Sequence, residues 1–210
     1  MPRYLTDKDI ADFRAELCRV ATERFARHGY EGVTMRQLAE ALGCSPKTPY
    51  RYFKDKADIL ATVRAEAFTK FGDALETAAA TTDDPMERAR RVGGAYLRFA
   101  AENPHAYRIM FDIDQPIDYR HPDLAPPAQR SRQLITRHAE YLAEKGIIDV
   151  DPQLYGWALW AATHGVVMLD QAGLLATRGG PDLRTLSQFI GELMARGAAP
   201  SKTKTKGRKK

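Results

Sequence analysis

Apolar residues along this chain recur at intervals of three and four almost everywhere, and no stretch alternates convincingly with period two. Ile10, Phe13, Leu17, Val20, Ala21 and Phe25 trace one face of a first helix, which Gly29 stops. Thr34-Met35-Arg36-Gln37 is a capping box. It opens a short helix that carries Met35, Leu38, Ala39 and Leu42 and ends at Gly43. Ser45 then reads as an N-cap with Pro46 at N1 of a third helix of about seven residues. Asp55 can cap a fourth, much longer helix, from Lys56 to about Thr77.

A small-residue and acidic break, Ala78 to Asp84, precedes a second helical block. Pro85 opens a helix ending near Asn103, and Pro104 opens another ending near Asp112. Asp114 to Pro127 holds Pro116, Pro122, Pro126 and Pro127 and reads as a loop. Helices follow over about 128–145, about 152–175 with Asp151 as cap, and about 182–196. The pattern predicts an all-α fold of about nine helices without internal repeats.

Composition narrows the function. The chain has 210 residues, 44% hydrophobic and 28% charged, so it can bury a core. Its net charge of +5 resides in the tail. Ser201 to Lys210 carries six basic side chains and no acidic one, leaving 26 basic against 27 acidic residues before it. That low-complexity tail reads as a solvated segment that can add sequence-independent attraction to phosphates. Two cysteines, Cys18 and Cys44, are too few for a disulfide scaffold or a cysteine-rich zinc site. The N-terminus shows no secretory h-region, and Gly156 to Leu169 is too short for a membrane span, so a cytoplasmic protein is expected. The five histidines form no i, i+4 metal pair, and neither a GxSxG nucleophile nor a phosphate-cradling glycine loop occurs. No metal, cofactor or catalytic group is expected.

The informative segment is the pair of short helices joined by Gly43-Cys44, a helix-turn-helix candidate. Lys47, Thr48 and Arg51 would face outward from the second helix, with Pro49 and Phe53 inward. Tyr50 and Tyr52 present hydroxyls at the edges, where phosphates would lie. Lys56 begins the next helix, where side-chain charge and helix dipole both favour a phosphate. From Thr34 to Lys56 there are five basic and two acidic side chains, a basic patch in a near-neutral body. Helix-turn-helix geometry also occurs as plain packing. Cys44 reads best as a small apolar filler of the turn, with a redox switch as the alternative.

Residues Val20 to Ala65 resemble the DNA-binding domain of the TetR family of transcriptional regulators. The likeness rests on the first helix ending in His-Gly-Tyr, then Thr-Met-Arg-Gln-Leu-Ala, Tyr-Arg-Tyr-Phe, and Lys-Asp-Lys leading into a long helix. It implies base-edge contacts for Lys47 and Thr48, phosphate contacts for Thr34, Tyr50, Tyr52 and Lys56, and either kind for Arg36. The family usually has Leu where this chain has Pro49. If Ser45 is the N-cap, Pro49 falls at N4 and removes the first intrahelical hydrogen bond; alternatively the helix begins at Thr48 with Pro49 at N1. The resemblance implies a helix-turn-helix domain over 1–56, a larger ligand-binding and dimerisation domain over 57–198, and the basic tail over 199–210. It further implies a homodimer through the last two helices, a palindromic double-stranded DNA operator, and a small-molecule inducer that releases it.

Tyr96, Phe99, Tyr107, Phe111, Tyr141, Trp157, Trp160 and His164 are the candidate ligand-lining residues. Trp160-Ala-Ala-Thr-His164-Gly165 resembles a Trp/His-Gly signature of one subgroup of that family. Core packing and a dimer seam would use the same residues, and for the helix carrying Trp157, Trp160, His164 and Met168 that is the preferred reading. Two rival functions are a DNA-binding regulator without a small-molecule inducer, and an all-α enzyme or carrier with a vestigial helix-turn-helix.

Overall fold

The computed structural model describes residues 6–111, 118, 121–175 and 179–201. The elements are α1 (Asp7–His28), α2 (Met35–Ala41), a 3-10 turn (Pro49–Arg51), α3 (Lys56–Ala79), α4 (Pro85–Glu102), α5 (Pro104–Met110), α6 (Ala125–Glu144), α7 (Pro152–Gln171) and α8 (Leu183–Ala198). Among the described residues there is no strand, in line with the all-α expectation. The basic tail from residue 202, and Asp114 to Pro116 of the expected loop, lie outside the described residues.

Local chemistry accounts for most boundaries. Thr6 and Asp9 form a capping box that starts α1, and Thr34 and Gln37 form the one that starts α2. Asp151 accepts from the Gln153 and Leu154 amides, at 2.8 and 3.0 Å, to begin α7. Three boundaries differ from the sequence reading. α6 begins at Ala125 rather than near 128, because prolines 126 and 127 fall in its first turn, where a missing N–H costs nothing. α7 ends at Gln171 rather than near 175, with Gly173 at φ +72° beyond it. α8 extends to Ala198, whose carbonyl accepts from the Asp149 amide at 2.7 Å.

The chain packs as two compact units. The first comprises Met1–Asp73 and Phe99–Ser131, so α5 belongs with the N-terminal helices. Its core joins Leu17, Val20, Ala21 and Phe25 of α1, Leu38 of α2, Phe53 just after the 3-10 turn, Ile59 and Val63 of α3, and Ile109 of α5. Burying each such large apolar side chain contributes about 1.5–3 kcal/mol. The buried Arg64 donates from Nε to the Ile109 carbonyl at 2.7 Å, fastening the end of α5 to α3. The second unit comprises Ala74–Arg98 and Arg132–Lys210. There Ala139, Leu142, Ile148, Tyr155 and Ala198 form a buried cluster. Gly156 lets α7 approach α6 closely: a Cβ there would lie 3.2 Å from the Ile135 carbonyl oxygen.

Candidate nucleic-acid interface

The scaffold of the site is α1, α2 and the start of α3, and its exposed edge is the segment from Ser45 to Tyr52. Gly43, at φ +63°, reverses the chain after α2, and the Cys44 amide returns to the Ala39 carbonyl at 3.0 Å. The expected seven-residue third helix is replaced by a tighter spiral. The Thr48 amide bonds the Ser45 carbonyl at 2.8 Å, Arg51 bonds Thr48 at 3.0 Å, and Tyr52 bonds Pro49 at 3.0 Å, all i to i+3. Proline explains this. An α-helix through here would need a Pro49 N–H donating to the Ser45 carbonyl, and the ring would crowd that same carbonyl. Thr48 is the cap and Pro49 the first residue of the turn. The Ser45 hydroxyl accepts from the Lys47 amide, at 3.4 Å.

This spiral has two faces. Pro49 and Phe53 are buried, while Lys47, Arg51 and Tyr50 (57% exposed) face solvent. Thr48 is half-buried beside them. Thr34 is exposed at the head of α2, with its hydroxyl engaged by Gln37 at 3.0 Å. Arg36 is exposed and pairs with Glu40 at 2.8 Å, an i, i+4 pair worth about 0.3–0.5 kcal/mol that a phosphate can displace. Five of the expected contact residues (Arg36, Lys47, Thr48, Tyr50 and Arg51) thus present open polar or cationic groups along α2 and the spiral.

Tyr52 and Lys56 are placed differently. Tyr52 stacks on Phe13 of α1, ring centroids 4.5 Å apart, so its ring works in packing. Lys56 is largely covered, and its Nζ donates to the Tyr30 carbonyl at 2.8 Å. The same ammonium lies 3.9 Å from the Tyr30 ring centroid and 3.7 Å from Glu31. It ties the head of α3 to the α1–α2 turn. The Tyr30 hydroxyl is pushed above its usual range by burial, then by Asp55 and Glu31.

Sequence reasoning missed Arg14. Its guanidinium donates to the Tyr52 carbonyl and covers the Phe53 ring at 4.1 Å. It clamps the end of the spiral to α1 across 38 residues of chain, a distance no local pattern reveals. Asp58 is a second such residue. It accepts the Lys54 amide at 2.9 Å and lies 3.6 Å from His121. Cys18 is buried in the core, and burial pushes its thiol up to about 12; Cys44 is half-buried in the turn.

The expected ligand-lining residues divide between the units. Phe99, Tyr107 and Phe111 are in the first. Phe99 meets Phe71 at 5.2 Å, and Phe111 meets Phe68 at 5.9 Å and Tyr107 at 5.0 Å, a packed aromatic cluster on α3. Tyr96, Tyr141, Trp157, Trp160 and His164 are in the second. Tyr96 is buried. Tyr141 donates to the Asp83 carbonyl at 2.9 Å and lies under Arg88 at 4.5 Å. Trp157 is half-exposed and meets Trp160 edge-on at 5.4 Å, while Trp160 stacks on His164 at 5.5 Å. Burial lowers the His164 pKa. Among the described residues no group of three His, Cys, Asp or Glu side chains could hold a metal ion, and no helix is long and apolar enough to cross a membrane.

Residues 17–63 match the family described as "Bacterial regulatory proteins, tetR family", and residues 89–191 match "Tetracyclin repressor-like, C-terminal domain". The transcriptional activator FasR of Mycolicibacterium smegmatis is 27% identical over 101 residues, 48% of this chain and 46% of that protein. The transcriptional repressor AcnR of Corynebacterium glutamicum is 44% identical over 55 residues, 26% of this chain and 29% of that protein. The matched stretch therefore spans less than half the length of these curated relatives. Among solved structures, a tetR-family regulatory protein from Rhodococcus RHA1 superposes with a TM-score of 0.72 at 21% identity, covering 90% of this chain and 97% of that one. The ketosteroid regulator KstR2 of Mycobacterium tuberculosis gives 0.69 at 19% identity, covering 90% and 96%. These likenesses establish the fold.

Proposed function

Because the chain belongs to the TetR family of transcriptional regulators, we propose that it binds a palindromic double-stranded DNA operator as a homodimer. The observation that carries this reading is the two-faced spiral at Ser45–Tyr52. Its buried Pro49 and Phe53 root it in the core, and its exposed Lys47, Tyr50 and Arg51 stand clear of the protein. Lys47 and Thr48 would meet base edges. Arg36, Tyr50 and Arg51 would meet phosphates, as would Thr34 once it yields its Gln37 bond. Lys56 would serve mainly by holding the head of α3 in place, with its remaining N–H available to a phosphate.

One such spiral reads too few base pairs for genomic specificity, and two related by a twofold axis read half-sites about 34–36 Å apart. The dimer would form through α7 and α8. Leu154 (70% exposed), Trp157, Met168 and Leu169 on α7, with Phe189 (57%) and Leu193 (51%) on α8, leave an apolar face open to water in the isolated chain. A second copy offers the same face, which suits an isologous four-helix seam. The protein would act where the chromosome lies, in the cytoplasm.

A small-molecule inducer fits the same arrangement. α5 carries Ile109 into the core that supports the spiral, so a displacement of α5 disturbs the reader. By linkage, operator DNA must weaken inducer binding by the factor by which inducer weakens DNA binding. Repression is the favoured outcome, although the named relatives include an activator as well as a repressor.

Selection of bound fragments from random duplexes, followed by fluorescence anisotropy on the recovered site, tests this reading. Lys47→Ala and Arg51→Ala should each weaken binding. Removing a cation that meets a phosphate should lower the salt slope by about 2 per dimer. Failure to enrich any palindrome would refute the reading.

A further inference from the structure

We propose that Arg88, His138 and Tyr141 form, inside the second unit, the head-group site for a small molecule bearing a single carboxylate. This site deepens the inducer reading above and rests on it only for the consequence of binding, not for the binding itself.

The three side chains come together from two helices. His138 and Tyr141 lie three residues apart on one face of α6, and Arg88 reaches the Tyr141 ring from α4, near enough for its charge to act on His138. The Arg88 guanidinium carbon is 4.5 Å from the Tyr141 ring centroid. The Tyr141 hydroxyl is held by the Asp83 carbonyl at 2.9 Å, so the ring is a fixed floor. Lys145 brings a second cation to 5.4 Å from that ring.

Three nitrogens here are buried with no hydrogen-bond partner among the described residues: Nε of Arg88 and both ring nitrogens of His138. Native interiors satisfy nearly all buried polar atoms, so three orphans close together call for a partner from outside the chain. Among the described residues no acidic side chain pairs with Arg88. The neighbouring Glu87 is engaged by Arg90 and Arg91, each at 2.8 Å. The cluster is therefore a half-buried cation beside two open hydrogen-bonding atoms on an aromatic floor.

The donor geometry selects the anion. A guanidinium edge presents two parallel N–H groups that fit the two oxygens of a carboxylate. His138 is held neutral, its pKa lowered to about 4 by burial and then by the Arg88 charge, and supplies one further N–H. Lys145 lies exposed, so the half-buried Arg88 is the charge a bound anion must balance, and it matches a monoanion while leaving a phosphate dianion under-compensated. The Tyr141 ring provides an apolar side for the body of the ligand, an aliphatic or aromatic monocarboxylic acid.

Isothermal titration calorimetry on the full chain, without DNA, tests the site with sodium octanoate and sodium phenylacetate against their neutral amides. At least one acid should bind at least tenfold more tightly than its amide, the loss expected when a charge-assisted bond is removed. Arg88→Gln should erase that preference, and His138→Phe should weaken acid binding severalfold. Arg88→Lys, which keeps the charge and loses the fork, should fall between. In wild type the His138 ring resonances should shift on addition of the acid. Equal affinity for acid and amide, acid binding indifferent to Arg88→Gln, or no heat from either acid up to about 10 mM overturns the proposal. Acid binding without any DNA retardation would defeat the regulator reading and leave this site standing. Retardation without acid binding would do the reverse.

Discussion

Replacing Arg14 with methionine separates holding the reader from touching DNA. Arg14→Met keeps an apolar stem of similar length and removes the guanidinium, which now donates to the Tyr52 carbonyl and covers Phe53 at 4.1 Å. A hydrogen bond from a charged donor contributes about 1.5–3 kcal/mol, and a partly desolvated cation over a ring about 0.5–2. The two share one cation and are not additive, and Tyr52 stays half-exposed, so water can recover its carbonyl. The expected loss is about 2 kcal/mol in urea unfolding, with an unchanged denaturant slope. Operator affinity should fall as the end of the spiral loosens. The slope of log affinity against log salt should stay at its wild-type value, because the Arg14 charge is used within the protein. A loss below about 0.5 kcal/mol, or a salt slope reduced by about 2 per dimer, would refute the clamp and make Arg14 a phosphate ligand.

Three further outcomes are expected. Phe189→Asp combined with Leu193→Lys, charges placed on the open face of α8, should yield monomers in sedimentation with the helical content intact; persistent dimers would place the seam elsewhere. His138 is lowered in the fold to about 4 from an ordinary 6.5, so the unfolded chain binds more protons between those values and stability rises with pH across that window. The difference amounts to about 3 kcal/mol, and His138→Phe should flatten that part of the pH profile, with the burial-lowered His164 leaving a smaller residue of the same sign. Cys18, with its thiol pushed up to about 12, should resist a thiol reagent at mildly alkaline pH until the chain unfolds, so that the half-buried Cys44 is the one thiol that reacts quickly in the folded protein; two fast thiols would contradict the burial of Cys18.

Local signals in the sequence determined where most helices start and stop. The Thr34–Gln37 box, the Asp55 and Asp151 caps and the left-handed Gly29 are short-range devices that act over at most four residues, and the folded chain uses all of them. The outward placement of Lys47, Tyr50 and Arg51 was legible for the same reason: Pro49 and Phe53, two and six residues from Lys47, supply the apolar anchor. The conformation of the spiral was only half legible. Sequence placed a proline in it, but whether the chain would kink, shift its start or tighten into a 3-10 turn depended on Phe13, Arg14 and the core beneath. Tertiary structure alone decided that Lys56 turns to Tyr30 and Glu31, that α5 joins the N-terminal core through Ile109, and that Arg88 lies over Tyr141. These pairings span 25 residues of chain or more, where hydrophobic periodicity carries no information on which side chains will meet. Packing chooses them, because only the assembled helices determine which cations are covered and which polar atoms are left without a partner.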